Sequence, residues 1–263
     1  LNALVLSVGW ESAYRMLGAI IGLGMAGMGW IFYRDNPEQC GLVMDGRGDA
    51  AWIKKVAARV PQTARQFTRS EAVKTGAFWS YALPLGWQAL FMTAVTFHIT
   101  SMGEEFSLSR TQCYALFPLI GLISVGAAVI AGWFSDHIRL KWLLQITVIS
   151  QFVSALGLYD PSTMAGKTFF VTGFGIAGGL FGLLLTIVWP RYFGRAHLGA
   201  INGLTSSILV FASAIGPFMF SRLRDLSGSY QGVVVLSGLV PLLLFIPAIL
   251  VKNPQAKALQ VEN

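Results

Sequence analysis

Seven stretches of this chain run for 17 to 23 residues each with hardly a charge among them. They are Ala13–Tyr33, Ala77–Ile99, Cys113–Phe134, Trp142–Leu158, Thr168–Trp189, Gly199–Phe220 and Val233–Val251, and Arg15 is their only formal charge. A helix rising about 1.5 Å per residue needs about 20 residues to cross ~30 Å of hydrocarbon. Inside hydrocarbon every backbone N–H and C=O must be paired internally, which leaves helices or a closed barrel. The runs are continuously apolar rather than alternating, so helices are the reading. Composition agrees: hydrophobic residues are 54% and charged residues 12% of 263, where a soluble domain carries roughly a quarter charged residues. Disorder, a disulfide-stapled scaffold and a collagen repeat are excluded by the same figures. The expected fold class is therefore an all-α polytopic membrane protein with seven transmembrane helices.

Charge placement gives the topology. Fourteen Lys and Arg residues fall on one side: Arg34, Arg47, Lys54, Lys55, Arg59, Arg65, Arg69, Lys74, Arg139, Lys141, Arg191, Arg195, Lys252 and Lys257. The other side has Arg15, Arg110, Lys167, Arg222 and Arg224. The richer side, which includes the C-terminus, is expected to be cytoplasmic. That asymmetry accounts for the net charge of +7, and nucleic acid is not an expected partner. Leu1 and the lack of a basic n-region predict a fragment that begins inside a longer protein. Cys40 and Cys113 stand in unlike contexts and suggest neither a metal site nor a redox pair.

About 40 polar residues separate the first two spans, a length that marks a boundary between structural halves. Within them Thr68-Arg-Ser-Glu71 has the spacing of a capping box, so a helix is expected to begin near Thr68 and run directly into the second span. Ala51–Val60 reads equally as a basic interfacial helix or as a solvated linker.

Gly173-Phe-Gly175-Ile-Ala-Gly178 matches G-x-G-x-x-G, but it lies inside an apolar span with no acidic residue between Asp160 and Asp225. A dinucleotide site needs a preceding strand and an acidic residue about 20 positions on, so the match is rejected. Gly175/Gly179, Gly178/Gly182, Gly18/Gly22 and Gly199/Gly203 read better as close-packing pairs. Pro84, Pro118, Pro217 and Pro241 interrupt spans and permit bends. Polar side chains at membrane depth are costly and mark function. Gln88 sits mid-span, and Ser80, Trp87, Phe91 and His98 lie on a neighbouring face. Gln88, Trp87, Phe91 and His98 are therefore candidate solute-pathway residues, joined by Thr172 and Asn202, with Gln151 and Thr186 as weaker candidates. For Gln88 the competing reading is pairing with another helix; for His98 it is contact with headgroups. No Asp, Glu, Lys or Arg lies near mid-membrane, and no H-E-x-x-H or G-x-S-x-G motif occurs, so no enzyme, cofactor or metal is expected.

Several local patterns resemble the major facilitator superfamily, and within it the monocarboxylate porter and oxalate/formate antiporter branch. They are Gly9-Trp10-Glu-Ser-Ala13-Tyr14-Arg15 with Arg34-Asp35-Asn36-Pro37-Glu38-Gln-Cys-Gly41-Leu42, Glu71-Ala72-Val-Lys-Thr75 with Phe78-Trp79, and Thr93-Ala-Val-Thr96-Phe97-His98. Towards the C-terminus they continue as Tyr192-Phe193-Gly194-Arg195, Gly199-Ala-Ile-Asn202-Gly203, Ser213-Ala-Ile-Gly216-Pro217 and Asp225-Leu-Ser-Gly228-Ser229-Tyr230. The resemblance implies that the seven spans are helices 6–12 of a twelve-helix fold whose N-terminal six-helix half is otherwise missing. Residues 1–33 would end the first bundle, 34–75 form the central cytoplasmic loop, 76–252 the C-terminal six-helix bundle and 253–263 a cytoplasmic tail.

Such a protein moves a small organic solute, a monocarboxylate or related metabolite, across the plasma (inner) membrane by alternating access, with or without a coupling ion. Its partners are that solute, the lipid bilayer and the other half. The alternative class is a non-transporting membrane sensor or assembly subunit. Gly132-Trp-Phe-Ser-Asp136-His137-Ile-Arg139-Leu-Lys141 resembles the superfamily's cytoplasmic loop motif G-x-x-x-D-R-x-G-R-K. It keeps Gly132, Asp136 and Lys141, with Arg139 where Gly is usual. The resemblance makes Gly132, Asp136, Arg139 and Lys141 a gating loop; the bland reading is a charged turn. Carboxylate porters of that branch place a cation in their eighth or eleventh helix, and Cys113–Phe134 and Gly199–Phe220 have none. The solute is then uncharged or weakly acidic, or its charge is met in the first half.

Overall fold

The structure, a computed structural model, describes residues 2–32 and 65–255, and every regular element among them is a helix. The chain divides into two units, residues 1–61 and 62–263. In the first, α1 (Asn2–Val8) stops at Gly9, whose positive φ of 79° ends the helix, and α2 (Trp10–Phe32) follows. The α2 helix is long and apolar enough to span a membrane, and its Arg15 pairs with Glu11 one turn back. Of the expected loop helix, Ala51–Val60 lies outside the described residues, as does Cys40.

The second unit holds six further spans. The short α3 (Arg69–Val73) precedes α4 (Gly76–Glu105), α5 (Arg110–Tyr114) and α6 (Leu116–Ser135). Then come α7 (Leu140–Leu158), α8 (Met164–Phe193), α9 (Leu198–Ser227) and α10 (Tyr230–Leu250). The helices exceed the apolar stretches at most ends because hydrocarbon sets the apolar length while caps set the helical length. Thr75, Thr163 and Ser229 each accept a backbone N–H at the start of α4, α8 and α10.

The capping box at Thr68 forms as its spacing predicts: Thr68 N–H donates to Glu71 at 2.8 Å and Glu71 N–H to the Thr68 hydroxyl at 3.3 Å. The helix it starts does not run into the second span. It ends at Lys74, and Thr75 caps a new helix, its hydroxyl donating to Ala72 O at 2.7 Å and accepting from Phe78 N–H. A second Ncap here competes with continuation, and without a Glu or Gln at its N3 position the sequence carries only half the signal.

In the second unit α7 packs along α8, α8 also along α6, α4 along α9, and α10 along α7 and α4. One buried cluster gathers Phe78, Tyr81, Leu144, Trp189 and Phe193, and another Phe91, Phe170, Phe174, Phe220 and Tyr230. Much apolar surface stays outside these cores, as lipid requires: Leu122 is 71% exposed on α6 and Phe211 69% on α9.

Of the four glycine pairs read as packing sites, only Gly175/Gly179 meets a neighbour closely. A Cβ on Gly175 would stand 2.8 Å from Ile123, and one on Gly179 would strike the backbone of Ser124, both on α6. Gly178 has ordinary clearance, and Gly182, Gly18, Gly22, Gly199 and Gly203 open space. The backbones of α7 and α8 approach most closely at Gly157, where a Cβ would strike the backbone N of Phe170, and again at Gly173, where a Cβ would lie 2.6 Å from Ser150 O.

Two ends of this unit differ in charge. Arg65, Arg69, Lys74, Arg139, Lys141, Arg191, Arg195 and Lys252 gather at the end where α4 begins, α6 and α8 stop and α7 and α9 begin. That end is stitched together by Gln255, whose Nε2 donates to Arg65 O at 2.8 Å and Tyr192 O at 3.0 Å. Gln66 accepts from the backbone N–H of Arg195 at 2.8 Å. The opposite end holds Glu104, Glu105, Arg110, Asp160, Lys167, Arg222, Arg224 and Asp225.

Candidate gate and solute-facing surface

Asp136 occupies the C-cap of α6 in αR geometry, where the last carbonyls of a helix lack intrahelical donors and the macrodipole is negative. A carboxylate there is unfavourable unless a cation answers both. Arg191, in the last turn of α8, does so. Its Nη1 donates to Ser135 O at 2.6 Å and its Nη2 to Asp136 Oδ1 at 2.5 Å. One planar guanidinium thus holds a helix terminus and the carboxylate behind it, a fork that Lys cannot reproduce. The Arg191 side chain is 23% exposed and that of Asp136 70%. Gly132 closes the same turn by accepting from the Ser135 hydroxyl at 2.8 Å. Among the described residues the ion pair of Asp136 is with Arg191, while Arg139 begins α7 exposed and Lys141 lies 5.4 Å over the Trp142 ring. Sequence reasoning counted Arg191 only as a loop charge. Its position at the end of the Trp189-Pro190-Arg191 run, on the same side as Asp136, was the available signal.

The pathway candidates do not share one open face. Asn202 is exposed on α9, and Trp87 and Thr172 are half-buried on α4 and α8. Phe91 is 1% exposed, packed against Trp87, Phe174 and Phe220. His98 is 9% exposed, with both ring nitrogens engaged by neighbouring helices. Its Nε2 lies 3.0 Å from Pro217 O and its Nδ1 3.0 Å from the Tyr230 hydroxyl. A carbonyl can only accept, so Nε2 carries the proton and Tyr230 O–H donates to Nδ1. His98 therefore clasps α4 to α9 and α10. Thr93 and Ser213 add a hydroxyl pair at 2.7 Å across the same α4–α9 seam. Beside it Met92, Thr93, Thr96 and Phe97 line an open groove of about 530 Å³.

Gln88 is fully buried, and neither its Nε2 nor its Oε1 has a hydrogen-bond partner among the described residues; the same holds for Gln151 Oε1 and Ser154 Oγ on α7. Leaving such an atom unpaired costs roughly 1–3 kcal/mol. Gln151 Nε2 is used, donating to Pro84 O at 3.0 Å one turn before Gln88. Among the described residues no group of three His, Cys, Asp or Glu could hold a metal.

Comparison with known proteins adds one decisive observation: residues 2–217 match the Major Facilitator Superfamily. The chain belongs to that superfamily. Its members are membrane transporters, and the seven apolar helices accord with that assignment. A search of curated proteins finds no match for the chain.

Proposed function

We propose that this superfamily chain forms the carrier half that moves a small organic solute by alternating access, its basic end cytoplasmic and its bilayer the plasma membrane. The observation that carries the reading is the Arg191 fork on Ser135 O and Asp136, which ties the ends of α6 and α8 at the basic end. A tie between helix ends that must separate when the carrier opens sets the balance between two conformations. Gly132 and Asp136 shape that latch, while Arg139 and Lys141 supply positive charge to the same turn. The α4–α9 seam beside the α4 groove, with Trp87, Thr172 and Asn202, supplies the solute-facing polar and aromatic contacts, and Phe91 backs them.

The described parts of α6 and α9 hold no cation at mid-membrane. The solute is accordingly a monocarboxylate or related metabolite taken in neutral form, or an anion whose charge is met by the first six-helix half, with a coupling ion where uptake is driven. The test is uptake of radiolabelled lactate, oxalate and mannitol into proteoliposomes holding the whole carrier. One solute should be taken up saturably, and Asp136→Asn should change its maximal rate and leave its KM in place. An affinity defect at unchanged rate would contradict the latch, and no saturable uptake of any probe by the wild type would contradict transport of these classes.

A further inference from the structure

We propose that α4 and α7 enclose a buried hydration site, in which water molecules bridge Gln88 to Gln151 and Ser154 beside Pro84. The groups converge by construction. Ser80, Pro84 and Gln88 succeed one another at four-residue intervals on α4, and Gln151 and Ser154 are one turn apart on α7. The bond from Gln151 Nε2 to Pro84 O, 3.0 Å long, pins the two rows together. Pro84 has no N–H, so it also deprives Ser80 C=O of its usual helical donor.

What remains unpaired among the described residues defines the occupant. Gln88 Nε2 is a donor, Gln88 Oε1 and Gln151 Oε1 are acceptors, and Ser154 Oγ is both. All three side chains are at least nine-tenths buried, with exposures of 0%, 1% and 1%. A bare cation would satisfy the oxygens and repel the amide N–H groups. An anion would do the reverse. A molecule that both donates and accepts, and carries no charge, matches the whole set, and water is the smallest. The site is separate from the solute-facing groove, whose lining begins at Met92. Hydration beside a helix proline lets the hydrogen bonds of α4 exchange partners without stranding any of them, so α4 can flex at Pro84 within lipid.

The experiment is radiolytic hydroxyl labelling of the full chain in lipid nanodiscs, read by mass spectrometry, because radicals born from bound water modify the side chains beside it. Pro84 and Leu85, both buried, should be labelled well above the equally buried Phe170, and the labelling should be lost in Gln88→Met. That variant should also melt at a lower temperature, because it strands the bridging water. Pro84 and Leu85 labelled no more than Phe170 would overturn the proposal. So would a higher melting temperature for Gln88→Met, the result for a dry cluster relieved of two orphaned atoms. Lactate or mannitol that protected Pro84 and Leu85 from labelling would also overturn it, in favour of a solute site.

Discussion

The contact between Asp136 and Arg191 can be dissected by a double-mutant cycle of Asp136→Asn, Arg191→Gln and the pair. The Asp136 side chain is 70% exposed, so solvent screens its half of the ion pair. Exposed pairs are worth about 0.2–1 kcal/mol, and the better-buried Arg191 places this one near the upper end. Arg191 additionally bonds Ser135 O, and a hydrogen bond from a charged donor contributes about 1.5–3 kcal/mol. Asp136→Asn should therefore cost ~1 kcal/mol, Arg191→Gln about 2–3 kcal/mol, and the double variant ~1 kcal/mol less than the sum of the two. Thermal unfolding in nanodiscs, followed by tryptophan fluorescence, reads the first as a fall of about 2–4 °C. If the fork exists in one carrier conformation only, ~1 kcal/mol moves the conformational ratio about five-fold. Additivity within ~0.3 kcal/mol would refute the coupling. So would a coupling that high salt leaves untouched, since a screened pair must weaken.

Two further outcomes follow from the same structure. The carboxyl of Glu71 is lowered from 4.5 to about 2, first by the Thr68 backbone N–H, then by the Thr68 hydroxyl and by Arg65. Its folded-state pKa is depressed, so its contribution is complete above pH 4.5 and lost as pH falls through about 2. The gap in melting temperature between wild type and Glu71→Gln should be constant at neutral pH and close over that window; a gap that persists at pH 2 would remove the capping box as its source. His98→Phe keeps the ring but strands Pro217 O and the Tyr230 hydroxyl, and should cost about 2–3 kcal/mol of unfolding free energy while leaving solute KM unchanged. A changed KM at unchanged stability would return His98 to the solute path.

What the sequence disclosed and what it hid divide along one physical line. Signals confined to a single element were legible: the uncharged runs became α2, α4 and α6 to α10, the Thr68 capping box formed, and Gly175/Gly179 met α6. Signals that depend on what stands opposite were not. The separation of eighteen positions from Ser80 to His98 fixes a shared helical face, but nothing in that spacing says that Pro217 and Tyr230 fill it. Arg191 and Asp136 are 55 residues apart, so the loop motif marked Asp136 while Arg191, its partner, read only as a loop charge. Gly173, whose clash would be with Ser150 on another helix, has no local spacing to betray it. The break at Lys74 turned on a lone Thr75 hydroxyl, too weak a local cue against the apolar run that follows.

The central claim is that uncharged helices cross the bilayer with the basic end of the second unit on one face. Single cysteines at position 160 and position 139, in a Cys40→Ser background with the buried Cys113 retained, test it in intact cells with a membrane-impermeant maleimide. The cysteine at 160 should react from outside, and the one at 139 only after the membrane is permeabilised. Equal reaction of both in intact cells, or reaction at 139 alone, would contradict it.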